Sequence, residues 1–290
     1  MRIVSLVPSA TEIIAALGLA GTLVGRSHEC NYPAEVEAVP VVSASRVDTT
    51  TIASAAIDGA VRAALADGRP LYAVDAGVLE ELAPDLIVTQ DLCEVCAVSS
   101  GEVRRVARTD AETLSLDPRD LSEIEESIRT LGRHLGAAGK GEELAQAMRH
   151  RIDGVHQAVR GLARPRVFVA EWLDPPFAAG HWVPEMVDLA GGEEVLGRTR
   201  ERSFPTTWAA VAETSPQFLV LAPCGFGVER TVAEAGSVPA MGARVVAVDG
   251  DAAYSRPGPR VAEGVAQLAS LMHPEAVEAP SLGLRRLDPA

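Results

Sequence analysis

Short apolar runs alternate along this chain with stretches whose apolar residues recur every third or fourth position. Ile3-Val4-Ser5-Leu6-Val7 reads as a first strand, closed by Pro8. Ser9-Ala10-Thr11-Glu12 has capping-box spacing and predicts a helix starting there, with Ile13, Ile14, Ala16 and Leu17 on its apolar face. Thr22 to Gly25 reads as a second strand and delivers Ser27-His28-Glu29-Cys30-Asn31-Tyr32-Pro33. Ile52 to Leu65 has a helical pattern, Leu71 to Val74 is a short apolar run, and Val78, Leu79 and Leu82 mark a helix ending at Pro84. Leu86-Ile87-Val88 reads as a buried strand, with a Cys-x-x-Cys loop behind it, and Thr113 to Leu116 as a further strand. Strands alternating with helices predict an α/β fold around a parallel sheet.

The rhythm breaks at Asp117-Pro118. From Leu121 through Ile124, Ile128, Leu131, Leu135, Leu144, Met148, Ile152 and Val155 to Val159 the apolar spacing is helical, with a weak point at Gly136 to Gly141. The spacing predicts one long helix; a coiled-coil seam is the competing reading, and its heptads stop at the glycines. Strands and helices resume after Arg164-Pro165: Arg166 to Ala170, Phe218 to Leu221 and Val245 to Val248 as strands, Val261 to Leu271 as a closing helix. The organisation expected is therefore an amino-terminal lobe over residues 1–118, a linking helix over 119–163, and a carboxy-terminal lobe over 164–290. The tail after Pro274 carries little pattern and is expected to be loosely held.

Composition narrows the function. Apolar residues make up 47% of the 290, enough for a core in each half. Net charge is −14 and Lys140 is the sole lysine, so a nucleic-acid partner, which needs clustered basic groups, is not expected. No apolar segment reaches the roughly 20 residues that span a bilayer. The first residues enter a strand without a leader pattern, so the expected location is the cytoplasm, or outside it only if a leader has been removed.

Candidate chemistry gathers after the strands. Cys93 and Cys96 follow the strand at 86–88, His28 and Cys30 follow the strand at 22–25, and Cys224 follows the strand at 218–221. Thiolates and imidazole suit zinc or an iron–sulfur cluster. Buried structural thiols and a redox-active Cys-x-x-Cys pair are the alternatives. In the second half His181 could cap a ligand's metal, and Tyr32, Trp172, Trp182, Phe226 and Tyr254 fall on loops where aromatic rings can cover a large planar ligand. Glu171 and Asp174 flank Trp172 and could orient a polar ligand edge. Pro8 and Ser9 open a helix whose free N–H groups face the strand end. No Ser-His-Asp arrangement, Gly-x-Gly-x-x-Gly or phosphate loop is present.

Arg2-Ile3-Val4-Ser5-Leu6-Val7-Pro8-Ser9-Ala10-Thr11-Glu12 resembles the opening of the helical-backbone (class III) substrate-binding proteins that serve ABC importers of cobalamin, haem and ferric siderophores. Ala83-Pro84-Asp85-Leu86-Ile87-Val88, Asp174-Pro175-Pro176-Phe177, Gly191-Gly192-Glu193 and Ser215-Pro216-Gln217-Phe218-Leu219-Val220 are similar to later family segments, in order, over roughly residues 2–273. The cobalamin-binding member is nearest in pattern. The resemblance implies two parallel-sheet α/β lobes joined by one long helix, with the ligand in the cleft between them. It implies binding of a corrinoid or another large metal chelate, with contacts from Pro8, Ser9, Tyr32, Glu171, Trp172, His181, Trp182 and Tyr254, and an ABC permease as partner. The alternative kept open is a cytosolic zinc or iron–sulfur metalloprotein or enzyme using His28, Cys30, Cys93, Cys96 and Cys224. Family members dock on the transporter through an acid on each lobe. Glu102 stands near the first matching place, whereas the region of Thr207 to Ala210 has no acid before Glu213.

Overall fold

The structure, a computed structural model, describes residues 1–91, 98–106 and 109–287. It divides into two compact units: residues 1–118 with 126–145, and residues 119–125 with 146–290. Each has its own sheet.

In the first unit β1 (Ile3–Ser5), α1 (Pro8–Ala16), β2 (Leu23–Arg26), β3 (Ser43–Ser45), α2 (Ser54–Ala66), β4 (Tyr72–Val74), α3 (Ala76–Leu82), β5 (Leu86–Thr89), α4 (Ser100–Val106) and β6 (Glu112–Ser115) follow in order. The main sheet runs β2-β1-β5-β6, all parallel, while β3 and β4 form a small antiparallel pair. The two inner strands, β1 and β5, are buried along their whole length, as expected of strands covered on both faces. Val4, Leu6, Val42, Leu79, Ile87, Val98 and Val103 make a core cluster against them. The amino end of α1 differs from the capping-box expectation. Val7 is the N-cap and Pro8 the first helical residue, and no side chain caps the helix. Proline suits that position, because its ring presets φ and its missing N–H would have had no partner there. Ser9 is thereby drawn inside the helix and buried.

The single long helix expected over 121–160 is instead two, α5 (Leu121–His134) and α6 (Ala138–Val159). Gly136, at φ 67°, carries the turn. The helices double back on each other: Arg129 pairs with Glu142 at 2.8 Å, and Arg149 pairs with Glu125. A Cβ on Gly132 would come within 2.9 Å of the Gly141 Cα, so this close approach depends on both residues being glycine. The apolar spacing therefore continues across a hairpin and does not mark continuous helix.

The second unit carries β7 (Arg166–Leu173), β8 (Pro176–Ala178), α7 (Val183–Leu189), β9 (Glu193–Glu194), β10 (Phe204–Pro205), α8 (Trp208–Glu213), β11 (Phe218–Leu221), α9 (Val228–Glu234), β12 (Arg244–Val248), α10 (Gly250–Ala253), α11 (Val261–Met272) and β13 (Leu284–Leu287). Its sheet runs β10-β8-β7-β11-β12-β13, with β9 also on β7. β7, β11 and β12 are parallel, whereas β8, β10 and β13 are antiparallel to their neighbours. The sheet is thus mixed at both margins. The tail expected to be loose supplies an edge strand, Leu284 pairing with Val248 and Leu287 with Val245. Four residues with Arg285 and Arg286 in the middle give little apolar signal, yet the backbone can close a ladder with any side chain. Among the described residues no helix is long and apolar enough to cross a membrane.

Candidate ligand-binding site

In the first unit the carboxyl ends of β1 and β2 feed the start of α1 and the 27–33 loop. Arg26 fixes that loop: its guanidinium donates to the carbonyls of Val39, Ser27, Cys30 and Glu37 at 3.0–3.2 Å. Cys30 is fully buried beneath it. The Thr11 hydroxyl lies 3.0 Å from its sulfur, and the thiol points to the Ser5 carbonyl at 3.8 Å. Such a thiol packs as a small polarisable core group.

His28 sits on the same loop, half-buried against the Tyr72 ring at 5.7 Å. Ser43 Oγ is 2.8 Å from its Nδ1 and accepts its backbone N–H at 3.2 Å. The Ser43 and Ser27 hydroxyl oxygens lie within hydrogen-bond distance, 3.2 Å apart. In the tautomer with its proton on Nδ1, Ser43 Oγ accepts that proton and Nε2 keeps the lone pair. That Nε2 is buried and has no hydrogen-bond partner. The Glu29 carboxylate stands 3.6 Å away, beyond hydrogen-bond distance. Burial, then the Arg26 charge, holds the His28 pKa below its ordinary value, which keeps the ring neutral. A neutral imidazole with one ring nitrogen engaged and the other open is the form that ligates metals.

The second unit builds its counterpart on β7 and the loop before α7. Glu171 Oε1 accepts the Gly180 N–H at 3.0 Å, and the Glu171 carbonyl accepts the Cys224 N–H at 3.1 Å. Trp172 is half-buried with its ring 5.1 Å from that of Phe226, and the Arg230 guanidinium lies 3.7 Å over the far ring. This aromatic–cation stack holds Phe226 rigid behind Trp172. His181 is in the left-handed region at φ 51°. Its N–H bonds to the Glu201 carbonyl at 2.7 Å, and its carbonyl accepts from Arg200 at 2.9 Å. Its ring stacks on Trp182 at 5.7 Å, and its Nδ1 is buried without a hydrogen-bond partner. Burial, with Arg202 and Arg119 nearby, lowers its pKa.

The residues singled out from sequence thus fall into groups. Tyr32 is exposed, Trp172 and Glu171 are half-buried, and the two histidines each carry an orphaned ring nitrogen. Trp182 and Tyr254, expected on ligand loops, are instead core residues. The Trp182 indole donates to the Tyr254 carbonyl at 2.8 Å, and the Tyr254 hydroxyl meets Gln267 at 2.9 Å in a site whose burial raises its pKa. A loop aromatic turns inward when its polar tip finds a partner there. Pro8 and Ser9 are buried in the first turn of α1. Cys224 is exposed. Cys93 and Cys96 lie outside the described residues. Among the described residues no three His, Cys, Asp or Glu come together as a metal ion would require. Glu102 is largely buried and paired with Arg105. Ser43, which engages His28 Nδ1, has no sequence signal beyond its place in an irregular segment.

Known proteins give this geometry a context. The chain is 25% identical over 291 aligned residues to the uncharacterized ABC transporter substrate-binding lipoprotein YvrC of Bacillus subtilis (strain 168), covering 94% of this chain and 80% of that one. In structure it is similar to a periplasmic heme-binding protein of Pseudomonas aeruginosa (TM-score 0.70, 21% identity, 99% of this chain and 95% of that one). It is also similar to the periplasmic vitamin B12-binding protein BtuF of Vibrio cholerae (TM-score 0.67, 21% identity, 93% and 95%). These likenesses overturn the expected cytoplasmic location, because such relatives are lipoproteins or periplasmic proteins. Residues 3–237 match the model of the periplasmic binding protein family, and the chain belongs to that family.

Proposed function

We propose that this protein binds a large metal chelate, a corrinoid or an iron porphyrin, with His28 Nε2 as a ligand to the metal and Tyr32 as an aromatic contact. The observation that carries this reading is the neutral His28 ring, whose Nδ1 is engaged by Ser43 and whose buried Nε2 has no hydrogen-bond partner. An unsatisfied buried nitrogen costs free energy unless a ligand uses it. Support also comes from similar structures described as heme-binding and vitamin B12-binding. The metal belongs to the ligand, so no resident metal is needed. As a substrate-binding protein the chain would hand this cargo to an ABC permease. The Glu102–Arg105 pairing leaves that carboxylate poorly placed to greet a transporter.

Aquocobinamide and hemin, each titrated while the absorption spectrum and thermal midpoint are followed, test the reading. Binding of either should shift its visible bands, raise the midpoint, and weaken on the order of 10–100-fold in His28→Ala. Unchanged spectra and midpoints at high ligand would remove it. No observation among the described residues favours a zinc or iron–sulfur protein.

A further inference from the structure

We propose that the segment carrying His181 is a strained latch, held shut by the Arg200 guanidinium on Asp120 and Glu123, whose opening releases the His181 ring to solvent. Every residue of the latch belongs to the second unit, and the inference stands apart from the identity of any ligand.

The strain lies in the backbone. Among the described residues four that are not glycine have positive φ, and two of them, His181 at 51° and Arg200 at 68°, are bonded to each other. The Arg200 N–H donates to the His181 carbonyl at 2.9 Å, and the His181 N–H donates to the Glu201 carbonyl at 2.7 Å. A side chain in the left-handed region costs free energy and persists where its surroundings over-determine it. A second cost sits on the same residue, because the buried His181 Nδ1 has no hydrogen-bond partner. Both costs disappear when the two segments part and water reaches the ring.

Two sets of contacts oppose that opening. The first joins the segments to each other. The Arg198 N–H donates to the Ala179 carbonyl at 3.0 Å, and Glu171 Oε1 accepts the Gly180 N–H at 3.0 Å. A Cβ on Gly180 would come within 2.6 Å of the Glu201 carbonyl oxygen and 2.7 Å of the Arg202 carbonyl carbon, so only glycine admits this approach. The second set fastens the pair to the first turn of α5. The Arg200 guanidinium donates to Asp120 and, at 2.7 Å, to Glu123. Asp120 is buried and accepts the Glu123 N–H at 2.8 Å, while Glu185 on α7 accepts the Leu121 N–H at 2.9 Å. The acids are thus positioned by the helix end itself. An isolated exposed ion pair holds little, whereas one guanidinium shared by two positioned carboxylates is a network. Arg200 therefore carries part of the strain in its backbone and restrains it with its side chain.

Two variants with opposite expected signs test this by amide hydrogen exchange on the full chain. Arg200→Gln removes the clamp and keeps the strain, so the Gly180, His181 and residue-200 amides should exchange together about tenfold faster or more, with the amides of β11 and α11 unchanged. His181→Gly keeps the clamp and removes both the left-handed side chain and the orphaned nitrogen, so the Gly180 and Arg200 amides should exchange about two- to fivefold more slowly. A segment that is merely well packed would loosen in both variants. In protein labelled with nitrogen-15 in histidine, the His181 Nδ1 resonance, assigned by its loss in His181→Gly, should move in Arg200→Gln toward that of a water-exposed imidazole. Unchanged exchange or an unmoved resonance in Arg200→Gln, or faster exchange in His181→Gly, would overturn the latch.

Discussion

The two units each present one histidine with a stranded ring nitrogen, and the surroundings of the two rings are opposite in kind. His28 in the first unit has its Nδ1 engaged by a serine and a carboxylate 3.6 Å from its open nitrogen. His181 in the second is stacked on an indole, wedged between two locked loops and faced by arginines. The first leaves an unpartnered ring nitrogen near a carboxylate; the second leaves one near two arginines that lower its pKa. The neighbours of such a ring decide which chemistry is open to it. The sheets differ in parallel fashion. The first holds its loops on four parallel strands, whereas the second is fringed by antiparallel strands and anchors its loops with the Glu171 and Glu194 carboxylates.

Breaking the loop lock in the second unit should give the largest effect. Gly180→Ala drives a methyl into the Glu201 and Arg202 backbone, which cannot yield as a side chain can, and should cost about 3 kcal/mol in chemical denaturation. The first unit has no equivalent wedge at His28, so a comparable loss from His28→Ala would blur the distinction between them.

Glu194 comes next. Its carboxylate accepts the N–H groups of Val169, Leu196 and Gly197 at 2.9–3.1 Å, tying the loop after β9 to β7. Glu194→Gln turns an N–H₂ toward these donors and should cost about 2 kcal/mol. Burial, against those N–H bonds, pushes the Glu194 pKa up to about 7. The folded state therefore holds this proton more tightly than the unfolded chain. Its contribution to stability is full below pH 4.5 and is lost as pH rises through about 7, a slope that Glu194→Gln should flatten.

The histidines work in the reverse direction. Both have folded pKa values below the ordinary 6.5, so the unfolded state takes up protons first as pH falls. Their stabilisation is present above pH 6.5 and declines below it. Unfolding of His28→Ala and His181→Asn between pH 8 and 5 should each show a weaker acid-side loss than the wild type. The smallest effect belongs to the stack behind Trp172: Arg230→Met should cost about 0.5–1 kcal/mol by removing the guanidinium from the Phe226 face.

Much of the fold was legible in the chain because buried strands advertise themselves. Ile3-Val4, Leu86-Ile87-Val88 and Phe218 to Leu221 could hardly be anything else between helical spacings. The hairpin at Gly136 was harder, since an apolar stripe keeps its period when a helix folds back on a partner. β13 was invisible because an edge strand needs backbone pairing more than side-chain burial. The candidate site was half legible. His28, Trp172 and His181 could be placed on loops from sequence, but whether a loop aromatic turns out, as Tyr32 does, or in, as Tyr254 does, depends on a distant Gln267. Ser43 escaped notice because its role arises from contacts with Ser27 and His28, some fifteen positions away.

The most direct test is electron–nuclear resonance of the low-spin ferric haem complex formed with protein in which histidine is labelled with nitrogen-15. Strong coupling to one protein imidazole nitrogen, present in the wild type and in His181→Asn but lost in His28→Ala, is the result this account requires. Coupling that survives in His28→Ala, or a complex with no protein nitrogen on the metal at all, would contradict it.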